Sequence, residues 1–169
     1  MNFLWDVLGG TLWGKILVTF LISMVPIIEL RGAIPVAVLL HELHPLLAFA
    51  VSVIGNLLPV PFIIIFIRKI FFWIRKHLPK LNSFIDRLEE KGKSKKDKVL
   101  KYGFWGLFIF VAVPLPGTGA WTGALIAAMM DMRLKRAFPS ILLGVLAAGI
   151  VVTLLSSFGL AAYIGFSAS

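Results

Sequence analysis

Cysteine is absent from all 169 residues. That excludes disulfides, thiolate metal sites and a cysteine nucleophile. Charge is scarce as well: Asp, Glu, Lys and Arg make up 15% of the chain, against about 25% in a soluble domain. Hydrophobic residues reach 59% and mean hydropathy is +0.96. These values argue against a soluble enzyme, and equally against a disordered chain poor in apolar residues. Acids are scarcest, eight against 17 basic residues, for a net charge of +9. The excess is local. Residues 68–101 hold 12 of the 17 Lys and Arg and four of the eight acids, a net of +8, while the rest of the chain stands at +1. This describes a membrane protein with one basic loop and no nucleic-acid partner. The first charge is Asp6, with no basic segment ahead of an apolar core, so no secretory leader is expected.

Apolar runs give the chain its order. The first covers 12–28 and contains Lys15 near its start; Glu29-Leu30-Arg31-Gly32 interrupts it. A short stretch, 33–40, leads to the polar tip His41-Glu42-Leu43-His44. Residues 45–67 are then almost wholly apolar. At about 1.5 Å per residue they would span roughly 35 Å, enough for a hydrocarbon core of about 30 Å. Phe71, Phe72, Trp73 and Ile74 beside Arg68, Lys69, Arg75 and Lys76 form a border suited to lipid headgroups. Pro79 fits the first turn of a short helix, with Leu78, Leu81, Ile85 and Leu88 as its apolar stripe.

The second half runs in the same order: apolar 102–116, a break at Gly117-Thr118-Gly119, a short stretch 121–130, a polar tip 131–136 and a long span 138–163. Pro26 and Pro114 are 88 residues apart; Ala48-Phe49 and Ala137-Phe138 are 89 apart, as are Gly55 and Gly144. An internal repeat is expected. The short stretches cannot span a bilayer as helices. Each either dips in and returns or forms part of a broken crossing helix. The basic loop should be cytoplasmic, and the tip Arg133-Leu134-Lys135-Arg136 is also basic, whereas the first tip has no Lys or Arg. A re-entrant second stretch keeps both basic segments on one side. The expected fold is an all-α integral membrane protein of two inverted repeats, each a broken re-entrant helical hairpin plus a transmembrane helix: residues 1–67, a cytoplasmic amphipathic linker 68–101, and residues 102–169. Such broken helices line protein-enclosed or water-filled sites in transporters.

The chemistry falls at the breaks. Glu29 and Arg31 lie in apolar sequence between Pro26 and Pro35, where a charge at the bilayer centre costs about 2.5–3.5 kcal/mol even on the lenient scale. Two residues apart, they cannot share a face of a regular helix, but a break lets both face one cavity. Pro35 disfavours a helix continuous through the site and suits the first turn of one beginning near Gly32. The alternative is a structural ion pair that stabilises a bend. At the second break Pro114 and Pro116 stop the incoming helix, and Gly117 and Gly119 admit angles and approaches closed to larger residues. Thr118 is the expected N-cap of the next helix; a tight packed turn is the plainer reading. Two helix N-termini would expose unpaired N–H groups and partial positive charge, favouring an anion. Arg31 would add a fork matched to phosphate or carboxylate. A carboxyl in apolar surroundings sheds its charge by taking up a proton, which suits Glu29 to proton coupling. The expected substrate contacts are Arg31, Gly32, Gly117, Thr118, Gly119 and Trp121.

Other polar residues receive quieter roles. His41-Glu42-Leu43-His44 is not H-E-x-x-H, because the second His falls at i+3; it reads as a tip rather than a metal site. Asn56, inside the 45–67 span, is either an interhelical partner or a site-lining residue. Ser156 and Ser157 should bond to their own helix. The Lys-rich run 91–98 should set orientation and meet anionic lipid. No nucleophile–base pair, P-loop or dinucleotide fingerprint is present, so no enzyme and no cofactor is expected.

Pro26-Ile27-Ile28-Glu29-Leu30-Arg31-Gly32-Ala33-Ile34-Pro35 and Pro114-Leu115-Pro116-Gly117-Thr118-Gly119-Ala120-Trp121-Thr122-Gly123-Ala124 resemble the two signatures of the small multidrug export protein family. The resemblance covers nearly the whole chain. More distantly, the family is similar to the DedA membrane proteins, which carry re-entrant segments and intramembrane acidic and arginine residues. That similarity implies proton-coupled movement of polyprenyl phosphate or phospholipid, with Glu29 and Arg31 as the counterparts. The Gly-Thr-Gly segment here lacks the second arginine of that pattern. Three functions follow as expectations: a flippase for an anionic lipid headgroup such as undecaprenyl phosphate, an exporter exchanging protons for cationic drugs at Glu29, or a structural membrane protein whose basic loop is its working surface. Membrane lipids and a second copy of the chain are the expected partners, and the cell membrane the expected location.

Overall fold

The computed structural model describes residues 11–78, 82, 83, 85–87, 90, 103–115, 117–130 and 132–167. The expectations for the first ten residues, Pro79, Leu81, Leu88, Pro116, Asp131 and the run 91–98 lie outside them. Among the described residues every regular element is helical: α1 (Leu12–Met24), α2 (Glu29–Pro35) continued by a π-helical turn (Val36–Leu40), α3 (Pro45–Leu57), α4 (Pro59–His77), α5 (Gly103–Ala112), α6 (Ala120–Met129) and α7 (Leu134–Ser167). Two stretches, Pro45–Ile67 and Leu134–Gly159, are long and apolar enough to cross a membrane. The helices form two compact units, one of Met1–Leu58 with Val145–Ser169, the other of Pro59–Gly144.

In the first unit Thr11 Oγ1 accepts the Gly14 amide at 3.1 Å and starts α1. Pro26 supplies no amide, so α1 ends at Met24 and the chain turns once before α2. Pro35 likewise withholds the amide that the Arg31 carbonyl would receive in a regular helix. The following turn widens to π geometry, with the His41 amide bonding Val36 O at 3.1 Å and that of Leu43 bonding Ala37 O at 2.9 Å. Glu42 at the tip takes a φ of 51° to close this cap. His44 Nδ1 accepts the Leu46 amide at 3.3 Å and Pro45 opens α3, so His44 serves a helix start. Helices α1, α2 and α3 pack on one another.

In the second unit α6 packs against α4 and α5. Its buried face is Ala120, Gly123, Ala124, Ile126, Ala127 and Ala128, a small-residue surface that lets helix backbones approach closely. Ser140 Oγ of α7 donates to Phe104 O of α5 at 2.6 Å. Of the expected aromatic border, Phe72 and Trp73 are exposed near the end of α4, whereas Phe71 is buried and belongs to the core. Beyond α4 Ile85 is fully buried and Arg75 Nη2 donates to Asp86 Oδ1 at 2.7 Å. Both partners of that pair are exposed, so it contributes at most about 1 kcal/mol.

One contact occurs in both units. A Cβ at Gly55 of α3 would meet Ser23 Oγ and stand 2.7 Å from Phe20 O of α1. A Cβ at Gly144 of α7 would stand 2.7 Å from Val111 Cβ and 3.0 Å from Phe108 O of α5. Phe20 and Phe108 are 88 residues apart, as are Ser23 and Val111; the two glycines are 89 apart. Each half thus seats the first helix of its sequence against a glycine of the helix that follows its polar tip, at matching positions.

Gly123 differs from these two glycines, because a Cβ there meets the Val111 Cγ2 methyl at 2.6 Å and no backbone within 3.4 Å. Gly123→Ala should destabilise by about 1–2 kcal/mol, and Val111→Ala in the same chain should recover most of that loss. Melting of the single and double variants measures the coupling.

Candidate functional site

The first break builds its site from the turn at Pro26. The Glu29 amide bonds Val25 O at 2.9 Å, and then Glu29 takes a φ of 52° as the chain enters α2. The helix therefore begins at Glu29, three residues before the expected start near Gly32. The Glu29 side chain is buried, with 4% of its surface exposed. Arg31 lies in the same turn and is half-buried. Gly32 is half-buried, and a Cβ there would meet only the Ile28 side chain of the preceding turn. Proline chemistry explains the break, and α2, packed on α1 and α3, explains the burial.

A left-handed φ costs a non-glycine residue of order 1–2 kcal/mol. The position 88 residues further on is Gly117, whose φ is 77°. Both halves thus use a left-handed residue to leave the break. The second half places glycine there; the first half keeps a buried glutamate.

At the second break Thr118 lies one residue before the N-cap of α6. Its hydroxyl reaches Val113 O and Leu115 O, each at 2.8 Å, so it closes the end of α5. Gly119 is the N-cap of α6, extended and without a side-chain bond. Gly117 is exposed, Gly119 buried, and Trp121 half-buried in the first turn of α6. Glu29, Arg31, Gly32 and Asn56 all fall in the first unit; Gly117, Thr118, Gly119 and Trp121 fall in the second.

Asn56 is fully buried, and neither its Oδ1 nor its Nδ2 has a hydrogen-bond partner. Ser52, one turn earlier on α3, is equally buried with its Oγ unbonded. Sequence reasoning missed Ser52, although its i, i+4 relation to Asn56 was the available signal. Thr19 and Ser23 of α1 are buried too and bond to their own helix, at Lys15 O and Phe20 O. Ser156 and Ser157 bond to Val152 O and Thr153 O, as expected of hydroxyls in apolar helices.

Among the described residues, long apolar helices, proline- and glycine-broken shorter ones and a buried acid at a break point to a helical membrane protein. Residues 29–151 match the family described as "Putative small multi-drug export protein", and the chain belongs to that family. No curated protein and no solved structure matches the chain.

Proposed function

We propose that the protein is a proton-coupled membrane transporter in which Glu29 exchanges the proton and Arg31 holds an anionic headgroup, such as that of a polyprenyl phosphate. The observation that carries this reading is the buried, left-handed glutamate at a place where the other half has glycine. Strain kept at one residue while its counterpart is relaxed points to a task for the side chain. Arg31 supplies a guanidinium suited to a phosphate, two residues from the proton carrier. In this reading each half forms a re-entrant hairpin in the cell membrane, and the loop 68–101 lies on the cytoplasmic side. The lipid-phosphate substrate leans on the similarity to DedA proteins read from the two motifs.

A second reading has one specific support, the export of drugs in the family's description. There Glu29 binds a cationic drug and a proton by turns. Charge of the ligand separates the two. Purified protein is titrated with a polyprenyl phosphate and, separately, with tetraphenylphosphonium. The first reading expects the anion to bind and Arg31→Ala to weaken it by about 10- to 100-fold, the equivalent of about 1.5–3 kcal/mol for a charged hydrogen bond. Binding of the cation alone, lost in Glu29→Gln and kept in Arg31→Ala, would establish the second. Unchanged anion binding by Arg31→Ala would refute the arginine role.

A further inference from the structure

We propose that Ser52 and Asn56 line a buried, hydrated slot in the first unit, whose water is the route by which protons reach Glu29. Both side chains are fully buried on one face of α3, a turn apart, and their three polar atoms have no partner. Thr153 Oγ1, in the segment of α7 that belongs to the same unit, is a fourth such atom. On α3, Gly55 lies against Phe20 and Ser23 of α1, while Phe49 and Val53 lie against Gly149 of α7. At 100° per residue Ser52 and Asn56 fall between those two directions, facing the space between α1 and α7. Asn56 adjoins Gly55 and so stands level with the last turn of α1. That turn runs directly into the break that carries Glu29, and α2 packs on both α1 and α3.

The unsatisfied atoms name their occupant. Asn56 Nδ2 only donates, Asn56 Oδ1 only accepts, and Ser52 Oγ does both. A bare cation would satisfy the oxygens and oppose the amide N–H groups; an anion would do the reverse. Water serves all three, and buried water takes such positions. The chain also holds its own control. At the 88- and 89-residue offsets of the shared glycine contact, Thr19, Ser23, Ser52 and Asn56 correspond to Leu107, Val111, Ile141 and Val145. All four of these are apolar and buried. Packing at these places does not need polar groups, so the polar set of the first half answers to another requirement. Besides Glu29, the charged and histidine side chains among the described residues of this unit are Lys15, Arg31, His41, Glu42 and His44. Lys15 is on α1, Arg31 is on α2, the other three are at the tip, and α3 carries none.

The slot's role rests on Glu29 as proton carrier, and the test keeps the two apart. Full-length protein in liposomes receives a pH jump, and proton uptake is followed with a pH-sensitive dye. Infrared spectra in ordinary and oxygen-18 water report internal water. Ser52→Ala and Asn56→Leu should melt at or above the wild type, lose isotope-shifted water bands and slow uptake at least tenfold. A lower melting temperature in both variants would make these residues helix–helix bonding partners and overturn the slot. So would unchanged uptake rates, or unchanged water bands. In parallel, Glu29→Gln should abolish the uptake that the slot serves. If Glu29→Gln takes up the same proton as the wild type, the proton role of Glu29 fails, whatever the water bands show.

Discussion

Glu29→Gly melts a few degrees above the wild type and binds its ligand without regard to pH. Glycine adopts the φ of 52° freely, so the substitution should recover about 1 kcal/mol of backbone strain. Glu42→Gly is the control. Glu42 has a φ of 51° but is exposed at the tip; glycine there should give a similar gain and leave pH dependence intact. Function moves the other way. Were a bound anion to sit about 8 Å from an ionised Glu29, at an effective dielectric near 20, the repulsion would be about 2 kcal/mol, roughly 30-fold in affinity. Anion binding by the wild type should therefore tighten as pH falls and Glu29 takes up its proton. Glu29→Gln and Glu29→Gly should bind tightly at all pH. For a cationic ligand the sign reverses: wild-type binding tightens as pH rises, and neither variant binds. Should Glu29→Gly melt below the wild type while Glu42→Gly melts above it, the carboxyl serves the fold as an internal ion pair. Scanning fluorimetry in detergent and ligand titration at several pH values decide between these outcomes.

Gly55→Ala and Gly144→Ala each cost about 1–3 kcal/mol, and no side-chain substitution recovers it. The added methyl at Gly55 meets the Phe20 carbonyl at 2.7 Å; at Gly144 it meets the Phe108 carbonyl at 3.0 Å and Val111 Cβ at 2.7 Å. A carbonyl oxygen of a packed helix cannot rotate aside, and Val111→Ala retains the offending Cβ. Ser23→Gly should therefore fail to rescue Gly55→Ala, and Val111→Ala should fail to rescue Gly144→Ala. Rescue of Gly123→Ala on α6 by the same Val111→Ala on α5 sets the scale for success. Equal penalties at residues 55 and 144 would follow from the shared glycine contact. A penalty at one glycine only would mean that the two halves do not rely on that contact alike. Melting of the six variants measures both points.

Much of the helix map was legible because proline and glycine punctuate it. Pro26, Pro114 and the Gly-Thr-Gly segment ended or opened helices where their chemistry required. The long span 45–67 was legible from its length and apolarity. What stayed hidden depends on backbone angles. Thr118 carries the residue type of an N-cap, yet the cap falls one residue later, at Gly119, and the Thr118 hydroxyl donates to carbonyls behind it. The helix start at Glu29 follows from a left-handed residue that no glutamate advertises. Only its offset of 88 from Gly117 could have shown it, and sequence identity between the halves is too thin to make that pairing stand out. Phe71 shares the composition of the aromatic border but turns to the core, because burial along α4 follows the helix face and not the cluster. Ser52 went unnoticed because a lone serine in an apolar helix usually bonds to its own backbone, as Ser156 does.

The proposed function rests on one step, the uptake and release of a proton by Glu29 inside the membrane. Infrared difference spectra of reconstituted protein, between acidic and alkaline buffer, read it directly. A protonated-carboxyl band should titrate in the wild type, persist in Arg31→Ala with a shifted midpoint and vanish in Glu29→Gln. Identical difference spectra from the wild type and Glu29→Gln would rule out Glu29 as the proton carrier.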